Sequence, residues 1–111
     1  MIRKLSDMGQ LPVKNLCEGE GTAVFTSLFE RGTLPRIFSK VTLEPGASCG
    51  EHVHDTDGEI YMVLEGEVTF IEDGVEYTCY PGECEYCTDG HSHGAINRSD
   101  KPCSYLAVMI K

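Results

Sequence analysis

His52-Val-His54 sets two imidazoles two positions apart. On a β-strand, side chains at i and i+2 leave the same face, so both rings can reach one ion, which adjacent residues could not do. Glu59 follows a turn rich in Asp and Gly and can return on the neighbouring strand beside the pair. The fourth candidate is His93, in Gly90-His-Ser-His93-Gly-Ala-Ile-Asn97, beyond a second hairpin. His91 shares the face of His93 if that segment is extended. Three imidazoles and one carboxylate form a donor set suited to Mn(II), Fe(II), Ni(II) or Zn(II). In an octahedral shell they leave two positions for water or substrate. Tyr61 and Val63 share the parity of Glu59 and should point inward with it. Tyr61 then serves either as a packed core residue or as a hydrogen-bonding acid. Ile60, Met62 and Leu64 take the other face, in a second core layer or at a dimer interface. Arg36, Phe38 and Tyr105 lie on strands that can line the same interior, and Arg36 is the cation best suited to an anionic substrate. Asp55 and Asp57 are read as solvated loop carboxylates and not as further ligands.

The elements that must hold these residues are short. No helical periodicity persists for three turns, whereas β-type runs separated by Gly, Pro, Asp and Asn recur. Strands are expected over 22–29, 36–43, 49–54, 59–64, 67–71, 75–79, 83–87, 93–97 and 103–110. Asp73-Gly74 is a hairpin turn between two of them. The first seventeen residues admit a short strand or a single helical turn. The pattern is that of an all-β sandwich or barrel, without internal repeat or linker.

Composition narrows the function classes. Eighteen Asp and Glu against nine Lys and Arg give a net charge of −9, which supplies no basic footprint for nucleic acid and disfavours anionic lipid. No run of eighteen apolar residues marks a membrane span, and no apolar stretch follows the charged start to form an export signal. A cytoplasmic location is therefore expected. The six cysteines are read as free thiols, mostly small buried hydrophobes. Cys84-Glu-Tyr-Cys87 has the C-x-x-C spacing, but on a strand positions three apart face opposite sides, so the sulfurs should diverge.

Two motifs in this chain resemble those of the cupins. Gly46, His52, His54, Glu59 and Gly66 reproduce the first cupin motif in full, and Gly82, Gly90, His93 and Asn97 follow the second. Thr88 stands where the second motif has proline, and Glu83 where an aspartate is usual. The resemblance implies an all-β double-stranded β-helix, a jelly-roll barrel, as a single cupin domain over residues 1–111. It places one divalent transition metal inside, held by His52, His54, Glu59 and His93. The motif spacing and Asn97 favour His93 over His91, which is left to line the pocket mouth or to be exposed. Small cupins often form homodimers, and the strand over 22–29 is a candidate for exchange or edge pairing. The expected function is a metal-dependent enzyme on a small oxygenated metabolite, dioxygenase-like or lyase/isomerase-like. In it Glu59 is ligand and proton shuttle, and Tyr61 or His91 the acid or base. The alternative is a non-catalytic metal-containing module that binds or senses a small molecule.

Overall fold

A computed structural model describes residues 1–29 and 36–110. Ten strands build it: β1 (Gln10–Lys14), β2 (Thr22–Ser27), β3 (Ile37–Leu43), β4 (Ser48–Val53), β5 (Gly58–Glu65), β6 (Val68–Glu72), β7 (Val75–Cys79), β8 (Cys84–Cys87), β9 (Ser92–Ile96) and β10 (Cys103–Ile110). Two 3-10 turns, Leu5–Asp7 and Leu16–Glu18, are the helical elements among the described residues. The strands form a six-stranded sheet in the order β1-β2-β3-β10-β5-β8 and a four-stranded sheet in the order β4-β9-β6-β7. Every pairing in both sheets is antiparallel.

Alternation explains why these segments are strands with one wet face. Along β5, Glu59, Tyr61 and Val63 are buried while Ile60, Met62 and Leu64 are half-buried. Inward residues from both sheets meet in one core, in which Tyr61, Phe70 and Tyr105 pack ring against ring beneath Val41, Leu43 and Val68. Asp73 and Gly74 both have positive φ, as the tight β6–β7 hairpin requires. Along β8, Cys84 is exposed and Cys87 buried, so the C-x-x-C sulfurs do diverge.

Three features differ from the sequence reading. The opening residues hold both a strand and 3-10 turns, and the strand, β1, caps one edge of the larger sheet. Consequently Thr22–Ser27 is bonded on both sides and offers no free edge; that edge belongs to β1. Finally, β4 is irregular. Cys49 pairs with Ala95 and His52 with His93, so three steps on β4 oppose two on β9. This bulge turns Cys49 and His52 to the same interior, although a regular strand would send them apart.

Candidate metal centre

His52 and His93 are direct cross-strand partners on β4 and β9. His54 lies just beyond β4, where its backbone N–H donates to the His91 carbonyl (3.0 Å) and its own carbonyl accepts from Gly90 (2.7 Å). Glu59 comes from the other sheet, near the start of β5. These four side chains converge. His93 Nε2 lies 3.0 Å from Glu59 Oε1, 3.0 Å from His54 Nε2 and 3.1 Å from His52 Nε2. Glu59 Oε1 is 3.1 Å from His54 Nε2 and 3.5 Å from His52 Nε2.

Each imidazole is anchored by its outer nitrogen. His52 Nδ1 donates to the Gly50 carbonyl (2.9 Å), His54 Nδ1 to Asp57 Oδ1 (2.8 Å) and His93 Nδ1 to Glu85 Oε1 (2.7 Å). An acceptor at Nδ1 fixes the proton there and turns the Nε2 lone pair inward. Three nitrogen lone pairs and a carboxylate oxygen thus face one another, an arrangement that repels itself unless a cation lies between. Donors set at right angles about an ion ~2.1 Å away are about 3.0 Å apart, which matches four of the five separations. The group can therefore hold a metal ion.

The electrostatics of the cluster agree. Burial pulls the His93 imidazole down, but its hydrogen bonds to Glu59 and Glu85 outweigh that and lift its pKa to about 9. Burial pushes the Glu59 carboxyl up, yet the hydrogen bonds from His52 and His93 hold it at about 2. Both shifts mark a place that favours positive charge.

A cavity of about 380 Å³ opens on this cluster from the His52 and Glu59 side. Tyr61 lines it and stacks on the His93 ring at 4.3 Å, with 6° between planes. Burial, with Tyr105 and Glu59 nearby, pushes its hydroxyl pKa well above the ordinary value. Tyr61 therefore keeps its proton, and its hydroxyl meets the Cys49 sulfur at 3.9 Å. Arg36 and Tyr105 also line the cavity, whereas Phe38 does not and packs edge-on against Phe29. His91 is exposed on the outside, its Nδ1 2.7 Å from Asp73 Oδ2, and is not brought to the cavity.

Several contributors escaped the sequence reading. Asp57 is no solvated loop carboxylate: it is half-buried, holds His54, and meets the Arg36 guanidinium at 3.5 Å. Asp55, by contrast, is exposed as expected. Glu85 is buried behind His93, and its Oε2 has no hydrogen-bond partner among the described residues. A carboxylate on a strand adjoining Glu59 was the available signal, but nothing in its spacing points to His93, eight residues on. Cys17, at the cavity wall, lies with Cys49 and His52 in one cluster. A hydrogen bond from Cys49 lowers its pKa to about 6 against the opposing effect of burial. Asn97 does not touch the centre; its amide donates to the Leu43 and Lys101 carbonyls and accepts from Ser99, locking the turn before β10.

A barrel of two antiparallel sheets with a three-histidine, one-carboxylate cluster between them defines a class. This chain belongs to the cupin family, whose cupin domain matches residues 39–109. It is 28% identical to an oxalate-binding protein of Thermotoga maritima, over 99% of this chain and 93% of that protein. It is 32% identical over 76 residues to the HTH-type transcriptional regulator PuuR of Escherichia coli, spanning 68% of this chain but 40% of the regulator. Among solved structures, a predicted oxalate decarboxylase from Thermotoga maritima superposes with a TM-score of 0.94 at 28% identity, covering 99% of this chain and 98% of that one. A cupin sugar phosphate isomerase from Silicibacter pomeroyi gives a TM-score of 0.78 at 25% identity, covering 100% of this chain and 76% of that one. No helix among the described residues is long and apolar enough to cross a membrane.

Proposed function

We propose that residues 1–111 act as one cupin domain in which His52, His54, Glu59 and His93 hold one divalent transition metal. That metal binds a small oxygen-chelating carboxylate through its open positions. The inward convergence of three Nε2 lone pairs and Glu59 Oε1, next to a cavity that reaches His52 and Glu59, carries this reading. The relatives named for oxalate agree with a carboxylate ligand. A bound metal would supply Lewis-acid polarisation of a carbonyl or carboxylate, and a redox-active one could also engage dioxygen. The chain's part is to orient the ligand with the Tyr61 hydroxyl as donor and to exclude water with the barrel wall.

Catalysis, of lyase/isomerase or dioxygenase type, is the second reading. It requires a group that exchanges a proton with the ligand. Tyr61 retains its proton and His91 lies outside, which leaves Glu59, itself a metal donor, and Cys17. Untagged protein purified without chelator should carry about one metal per chain, and oxalate or acetohydroxamate should bind it in calorimetry. Both should be lost in Glu59→Gln while the β-sheet circular dichroism persists. Metal-loaded protein that binds neither chelator would refute the proposal. Product formed from a bound carboxylate would decide for the enzyme.

A further inference from the structure

The cavity beside the metal centre is large and greasy for a ligand such as oxalate. At about 380 Å³ it exceeds several-fold a dicarboxylate the size of about two waters, each taking ~30 Å³ of liquid. Its walls include Val13, Leu16, Phe25, Ile37, Val41 and Met109. His52, Glu59 and Tyr61 meet the cavity at the metal end, and Arg36, Ser27 and Ser39 add polar groups to its lining, the two serines bonded to each other at 2.8 Å. Most of this apolar wall comes from β1, the Leu16–Glu18 turn, β2 and the start of β3. The metal donors all lie within the matched cupin domain, whereas Val13, Leu16, Phe25 and Ile37 precede it.

Charge points the same way. A divalent cation among three neutral imidazoles and one carboxylate leaves one net positive charge. Glu85, buried behind His93, already sets a further carboxylate against the centre, so each negative charge a ligand adds is harder to place, and a second one must find another cation. Among the described residues Arg36 is the cation on the cavity, and it already faces Asp57 at 3.5 Å. We infer that the site takes monoanionic 2-oxo acids with an apolar side chain of several carbons, the 2-oxo carboxylate chelating the metal and the side chain filling the apolar cavity. This specificity rests on the metal-centred reading of the site.

A homologous series tests it. The Mn(II)-loaded protein is titrated calorimetrically with oxalate, pyruvate, 2-oxobutyrate, 2-oxohexanoate and 2-oxooctanoate. Each buried methylene should tighten binding about fourfold, the equivalent of ~0.8 kcal/mol, with 2-oxooctanoate binding more tightly than oxalate. Val13→Ser, at the sheet edge, should flatten the slope. Equal affinity along the series, or oxalate tighter than every 2-oxo acid, would overturn this specificity and leave the metal-centred reading standing. If acetohydroxamate, oxalate and every 2-oxo acid fail to bind the loaded protein, both fall together.

Discussion

Glu85→Gln tests whether the carboxylate behind His93 tunes the metal centre. The substitution keeps an oxygen able to accept from His93 Nδ1, now 2.7 Å from Glu85 Oε1, and removes the negative charge. A cation on the far side of the imidazole is about 7 Å from that charge. At an effective dielectric near 20 their attraction is about 2.4 kcal/mol per unit of cation charge. That figure is a ceiling, because a bound cation spreads charge onto its ligands and the site relaxes. Losses of such outer partners typically weaken metal binding 10- to 100-fold, about 1.4 to 2.7 kcal/mol. Zn(II) affinity of Glu85→Gln, measured by competition with a chromophoric chelator, should therefore fall within that range at pH 7.5. Thermal unfolding of the metal-free variant checks that the barrel is intact. Unchanged affinity in a folded variant would mean that the Glu85–His93 contact packs the core without acting on the metal.

Three further outcomes follow from the same geometry. In metal-free protein the His93 pKa of about 9 exceeds its unfolded value of 6.5, so its stabilisation is complete below 6.5 and disappears as pH rises through 9. Glu59, at about 2 against 4.5, stabilises above pH 4.5 and ceases to as pH falls through 2. In a Cys17→Ser background, which removes the opposing gain from a thiol held at about 6, the metal-free Tm should accordingly decline between pH 6.5 and 9, and bound Zn(II) should abolish that decline because it displaces the proton. Gly50→Ala would drive a methyl into the Cys17 carbonyl and should cost about 1–3 kcal/mol in urea unfolding. Asn97→Ala strips partners from the Leu43 and Lys101 carbonyls and the Ser99 N–H. It should lower stability by about 3 kcal/mol, a Tm drop on the order of 10 °C, without changing metal stoichiometry.

Nine strands could be placed from the sequence to within one or two residues, because alternation and Gly- or Asp-bearing turns are local signals. The convergence of His52, His54, Glu59 and His93 was also legible: i, i+2 spacing on a strand gives His52 and His54 a shared face, and the resemblance to the cupin motifs implied Glu59 and His93, rather than His91, as their partners. β1 was not, although Leu11 and Val13 alternate. Pro12 speaks against a strand except at an edge, and this strand is one. The bulge at Gly50–Glu51 is equally silent, because it arises from pairing with β9 and from Gly94, whose missing side chain lets the Cys49 carbonyl come close. Asp57 and Glu85 read as ordinary surface acids. What makes them anchors for imidazoles is a neighbour supplied by the fold, on another strand in the case of Glu85.

The bulge has a mechanical consequence. It makes the dent into which the backbone of the Leu16–Glu18 turn settles, Gly50 against the Cys17 carbonyl, and the Ser48 N–H and hydroxyl bond the backbone of Glu20 beside it. A wall of the cavity is thus fastened to the strand that carries His52. The amides of residues 15–20 and those of β4 should open as one cooperative unit in hydrogen exchange, and a metal that clamps β4 should slow both together.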